Sequence, residues 1–185
     1  MIRLLIILFF TTGYATLSSC GQVSKVSTTD STSTWYHGEF NKNKSEIDYP
    51  LQPIGWVNDF EHILTDSQVK ILDSTISVFE YKTTFEIAIL TIDSSFVNEK
   101  EFDNMVTSIG RIWGVGKKDL NNGITIGISS SLKRIRISTG SGAKYLLSDN
   151  ETKRIIDEII VPYFRKADFF TGLKEGLQAI INTII

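Results

Sequence analysis

Phe85-Glu86-Ile87-Ala88-Ile89-Leu90-Thr91-Ile92 is the run whose reading decides the fold. It is almost continuously apolar or β-branched and does not alternate between a dry and a wet side. A strand of that kind belongs in a sheet covered on both faces. Both flanks carry helical periodicity. Upstream, Thr65-Asp66-Ser67-Gln68 is a capping box that opens a helix. Val69, Leu72, Ile76 and Phe79 then recur on one side of it. Downstream, Phe102, Met105, Val106, Ile109, Ile112 and Trp113 form a second helical stripe. A buried strand follows at Ile124-Thr125-Ile126-Gly127-Ile128, and another spans Leu132 to Thr139. Only about four residues separate these two, so they form an antiparallel hairpin. Ser148-Asp149-Asn150-Glu151 is a second capping box, opening a helix with Ile155, Ile156, Ile159 and Ile160. Pro162 is expected to break or kink that helix. Phe169, Phe170, Leu173, Leu177, Ile180, Ile181 and Ile184 make a last amphipathic helix. Its polar side (Lys174, Glu175, Gln178, Asn182) argues against a membrane span. Gly55 to Phe60 reads as a short strand or extended lead-in. This alternation predicts an α/β fold, a three-layer α/β/α sandwich around a small mixed β-sheet, over residues 54–185.

The first half-hundred residues follow other rules. Arg3 precedes an apolar core from Leu4 to Phe10, and polar residues return at Thr11. The core is far shorter than the roughly 20 apolar residues that span a bilayer, so residues 1–19 read as a signal peptide. It ends at Leu17-Ser18-Ser19-Cys20, which resembles the bacterial lipoprotein signal, with Cys20 lipidated as the mature N-terminus. Cys20 is the only cysteine, which leaves no intramolecular disulfide and no cysteine-based zinc cluster. Residues 20–53 comprise that cysteine and a Ser/Thr-rich tether, too poor in apolar residues to offset the ordering entropy. Trp35, Tyr36 and Phe40 interrupt it. The expected location is the bacterial cell envelope, facing the periplasm and held to the membrane through Cys20. Gly21-Gln22 after the cysteine leans toward the outer membrane. Net charge −2 and a pI near 5.7 give no reason to propose nucleic acid as a partner.

Candidate chemistry concentrates in Trp113-Gly114-Val115-Gly116-Lys117-Lys118-Asp119-Leu120-Asn121-Asn122-Gly123. Its glycines permit positive φ and close backbone approach. Asp119, Asn121 and Asn122, together with Asp59 after the first strand, offer oxygen ligands of the kind Ca²⁺ or Mg²⁺ takes. Alternatively, Asp59 and Asp119 only cap turns. Lys117, Lys118 and Arg136 would hold a phosphate in a phosphoester hydrolase, or are solvated surface charge. No nucleophile or catalytic histidine stands out: His37 lies in the tether and His62 just ahead of a helix.

In this order and spacing, several landmarks resemble the TPM domain family of plant thylakoid and bacterial envelope proteins. They are Val57-Asn58-Asp59-Phe60 with Leu64-Thr65; Trp113 to Lys118; Asn122-Gly123 before a strand; Arg136-Ile137-Ser138-Thr139-Gly140-Ser141-Gly142; Asp149; and Ile160-Val161-Pro162 with Gly172. The resemblance covers about Gly55 to Ile181. It implies an α/β/α fold, a divalent metal (usually calcium) near strand-end loops, and a phosphatase activity proposed for the plant branch. Other family members act as accessory or repair factors for membrane complexes. Two positions depart from the family: Asn121 where an acidic residue is usual, and Lys144 where glutamate is usual. The expectation is thus an accessory or interaction module, divalent-metal-binding, on a membrane protein complex. The alternative is a metal-dependent phosphatase-like hydrolase.

Overall fold

The computed structural model describes residues 51–185. The stretch read as a signal peptide, Cys20 and the stretch read as a tether, to residue 50, lie outside the described residues. Four strands form one mixed sheet in the order β1 (Val57–Asp59), β2 (Glu86–Thr91), β3 (Gly123–Ser129), β4 (Arg134–Thr139). The first three run parallel and β4 pairs antiparallel to β3, as the short hairpin turn required. Helix α1 (Asp66–Thr83) connects β1 to β2, and α2 (Phe102–Ile112) connects β2 to β3. After β4 come α3 (Asp149–Arg154), a π-helical turn (Ile155–Ile160), α4 (Val161–Phe164) and α5 (Phe169–Ile184).

Strand alternation sorts the core into two layers. Ile87, Ile89, Ile124, Ile126 and Ile128 face α1 and α5, where Leu72, Ile76, Phe79, Leu177 and Ile180 are fully or almost fully buried. Ala88 and Leu90 face α2 and its Phe102, Val106 and Ile109. On that second face β3 presents small residues. A methyl group on Gly127 would overlap the Val106 side chain, and one on Gly110 would overlap the Thr125 hydroxyl. The isoleucines of β3 thus fill one layer while Thr125 and Gly127 let α2 lie close on the other. This is the α/β/α sandwich read from the sequence.

The packed domain reaches further back than residue 54. Leu51 is buried against the α2 side, and its carbonyl accepts from the Trp113 indole N–H at 3.1 Å. The Thr65 box is complete: Thr65 Oγ1 accepts from Gln68 N, and Gln68 Oε1 accepts from Thr65 N at 2.8 Å. The second box is half-formed. Ser148 Oγ accepts from Glu151 N, but the Glu151 carboxylate turns to Arg154 instead. Pro162 does not end its helix. The wider π-helical turn lies immediately before it and absorbs the missing N–H and the crowding of the ring, so the helical path continues into α4. No helix among the described residues is long and apolar enough to cross a membrane.

Candidate functional site

The parallel strands place the predicted site residues at two ends of the sheet. In the register, Asp59 pairs with Thr91, and Thr91 with Ile128. Asp59 therefore lies at the carboxyl edge. The glycine loop runs into Gly123, which pairs with Glu86 at the amino edge. Five residues of strand separate Gly123 from Ile128, about 16 Å. Asp59 is thus not brought together with Asp119, Asn121 and Asn122, and the expected four-residue ligand set does not form one cage. The reason is topological: β1 leads out of the sheet at the end opposite to where the α2–β3 loop leads in.

At the carboxyl edge, Asp59 serves the backbone. Its Oδ1 accepts from the buried Thr91 hydroxyl at 2.8 Å and from Ile63 N at 3.2 Å, and Oδ2 accepts from Leu64 N at 2.8 Å. This is the turn-capping alternative, and it sets the approach to α1. Glu61, which the sequence reading passed over, does a similar job across the sheet. Its carboxylate accepts from Ser130 N at 3.0 Å and from the Ser130 hydroxyl at 3.1 Å, tying the end of β1 to the β3–β4 turn.

At the amino edge, the glycine loop is latched to its surroundings. Gly114, at φ +69°, turns the chain off α2. Gly116, at φ +101°, donates its N–H to Glu86 Oε2 at 2.7 Å. The Lys117 ammonium bridges Glu80 of α1, at 2.7 Å, and Glu86 of β2. Asn122, only 3% exposed, accepts from Lys117 N at 2.9 Å and donates to the Thr84 carbonyl at 2.9 Å. Thr84 sits at φ +68°, rare for a β-branched residue, at the C-terminus of α1. The Asn122 amide ties down that strained residue. Asn121 takes φ +47°, a conformation asparagine tolerates, and exposes its side chain along with Lys118 and Asp119.

The Gly140-Ser141-Gly142 turn closes on this loop from the other side. Gly140 N donates to Gly123 O at 2.8 Å, and Gly142 N to Asn121 O at 2.9 Å. A methyl group on Gly140 would overlap the Asn121 carbonyl oxygen, and one on Gly142 the Leu120 carbonyl oxygen. Lys144, just beyond, pairs with Asp149 at 2.9 Å.

The three cations expected at a phosphate are likewise dispersed. Lys117 and Lys118 are on the loop. Arg136 lies opposite Gly127 in β4 and approaches Asp103 of α2 at 3.9 Å, beside Arg134, which bonds Asp103 at 3.0 Å. Glu80, Thr84 and Glu86 are the amino-edge residues that sequence reading missed. One signal was available: Glu86 is a lone carboxylate at the mouth of an otherwise apolar strand, and such a group needs a partner.

Burial works against the charge of Lys117, but Glu80 and Glu86 outweigh it and raise its pKa above the ordinary lysine value of 10.5. A raised folded-state pKa contributes stability that is complete below the unfolded value and is lost as pH rises through the folded one. Lys117→Met is expected to cost about 1 kcal/mol at pH 7, discounted because the lysine side chain is 42% exposed while Glu86 is 14%. Urea denaturation should show the gap between the variant and the native chain closing at pH values above the ordinary lysine range.

The profile of the TPM domain family matches residues 57–183, and the chain belongs to that family. Among curated proteins, none matches this sequence. Three solved structures are similar. The N-terminal domain of a P. gingivalis protein is 26% identical, with TM-score 0.63, covering 69% of this chain and 80% of that one. The BA42 protein of the psychrophilic bacterium Bizionia argentinensis is 20% identical, with TM-score 0.57, over 68% and 83%. The N-terminal domain of the Corynebacterium glutamicum protein cg2496 is 9% identical, with TM-score 0.54, over 77% and 85%. The last two bear on the fold alone.

Proposed function

We propose that this TPM domain is a non-catalytic accessory module, tethered by a lipid on Cys20 to the periplasmic side of the envelope, with the outer membrane favoured, where it binds a membrane protein complex. One observation carries this reading. Two of the groups that a phosphoester hydrolase would draw on are already engaged inside the domain: Lys117 by Glu80 and Glu86, and Asp59 by Thr91, Ile63 and Leu64. A domain whose charges hold its own loops in place suits rigid presentation of a surface more than a reaction at those charges. The second reading, a metal-dependent phosphatase-like hydrolase, would need Lys117 to leave both glutamates.

A divalent ion remains part of the proposal, but as two separate questions, since Asp59 and the Asp119–Asn122 segment are at opposite ends of the sheet. Calorimetric titration with Ca²⁺ and Mg²⁺ is to be run on Asp59→Ala and Asp119→Ala separately. Saturable heat lost in one variant and kept in the other would assign an ion to that end. The module reading itself is tested with a photo-crosslinker at Leu120, exposed on the loop, in the full lipidated chain. It predicts one recurrent membrane-protein adduct, lost when Cys20→Ala frees the chain from the membrane. Phosphoester hydrolysis that requires the metal and falls more than tenfold in Lys117→Met would overturn it in favour of the enzyme.

A further inference from the structure

Helix α1 has a second face with no packing partner among the described residues. At 100° per residue, Lys70, Ile71, Thr75, Val78, Tyr81 and Lys82 fall within one arc of about 140°, opposite the buried Leu72, Ile76 and Phe79. Ile71 is 47% exposed, Val78 54% and Tyr81 92%. The arc also holds Ser67 and Ser74; its charged residues are the two lysines, and the exposed Asp66 lies about 40° beyond Lys70. Asp73 and Glu80 point the other way, held by Val57 N and Lys117. Beside Val78 and Lys82 the apolar surface continues into a shallow groove against Ile181 and Ile185 of α5. Exposed aliphatics and a tyrosine beside lysines suit a surface that is apolar at one depth and negatively charged at another.

We infer that this face of α1 rests on an anionic lipid surface, with Ile71 and Val78 at the boundary of the acyl region, Tyr81 among the headgroups, and Lys70 and Lys82 against lipid phosphates. The chemistry is that of an interfacial helix: apolar area, an amphipathic ring and basic flanks. This rests on the lipid-anchor reading above in one respect. The thirty residues from Gly21 to Pro50, which join Cys20 to the described domain, reach at most about 100 Å. The domain's own radius of gyration is about 14 Å. That reach is long enough for α1 to lie on the bilayer that would hold the lipid.

The test separates the patch from the anchor. In the first arm, the chain from residue 20 onward, carrying Cys20→Ala, is sedimented with concentrated vesicles of neutral lipid or of neutral lipid with one third phosphatidylglycerol. Binding should be roughly ten- to thirtyfold tighter to the anionic vesicles. It should fall with added salt and be lost in Lys70→Glu/Lys82→Glu and in Tyr81→Ser. Equal sedimentation with both vesicles, or no change in the variants, would sink the proposal. So would self-association of the chain that buries α1 without vesicles, which would assign the face to a second copy. In the second arm, the lipidated chain is floated with vesicles and its lysines are footprinted by acylation. Lys70 and Lys82 should be protected several-fold while Lys133, in the β3–β4 turn, is not. Failure to float with the first arm positive would remove the anchor and leave the patch.

Discussion

Replacing Gly142 with alanine is expected to lower stability by about 3 kcal/mol or more, close to the upper end of what overpacking costs. For a domain of this size that is a fall of roughly 10 °C in Tm. The added methyl would overlap the Leu120 carbonyl oxygen, with Leu120 C and Asn121 C close behind it, so the obstacle is backbone on both sides. No rotamer change can relieve it. Relief would require parting the Gly140–Gly142 turn from the glycine loop, which breaks the bonds from Gly140 N to Gly123 O and from Gly142 N to Asn121 O. Gly114→Ala is the matched control. It sits at φ +69° with nothing within 4 Å of where the methyl would go, so it should cost about 1 kcal/mol of left-handed strain and no more. Thermal unfolding of both variants decides the matter. Equal losses would mean that the two loops part at little cost and that their close approach is not why a glycine stands at 142.

Asn122→Ala is expected to cost about 2–3 kcal/mol. It leaves the part-buried Lys117 N and Thr84 carbonyl without their partners, and removes what steadies Thr84 at positive φ. Asn122→Asp should be as damaging at pH 7, and it carries a signature of its own. The new carboxylate keeps an acceptor for Lys117 N but sets a buried negative charge against the Thr84 carbonyl. Its folded pKa therefore rises above the unfolded value of about 4. The sign follows from linkage: below the unfolded pKa both states are protonated and the penalty is absent. The penalty then grows as pH climbs toward the folded pKa. Urea midpoints for the native chain and Asn122→Asp should thus converge as pH is lowered toward 4, while Asn122→Ala stays apart throughout. A gap that does not change with pH would show that Asn122 is not donating to Thr84.

Much of the fold was legible because its signals are local. The Thr65 box is complete within four residues, so Gln68 and Thr65 meet wherever the helix is placed. The covered character of β2 and β3 is written in their unbroken apolar runs. Other readings depended on what stood across space. Glu151 was as well placed in sequence as Gln68 to complete its box, yet the side chain of Arg154, one turn on, took its carboxylate. Pro162 read as a break or a kink, and a π-helical turn upstream carried the helix past it. The outer face of α1 escaped notice because Ile71, Val78 and Tyr81 blur the amphipathic pattern that periodicity detects.

By itself, the amino-acid sequence determined the α/β/α layering and the hairpin, and its motifs carried the resemblance to the family. The layering and the hairpin rest on periodicity and on loop length along the chain. Only the tertiary structure decided what the glycine loop is joined to. Asp59 and Asn122 are near neighbours in any inventory of oxygen ligands, yet parallel strands carry them to opposite edges, because a parallel connection returns the chain to the end where it began. Lys117 meets Glu80 and Glu86, more than thirty positions away, for the same reason. Which charges face each other is a property of strand order and direction, and no local pattern encodes that.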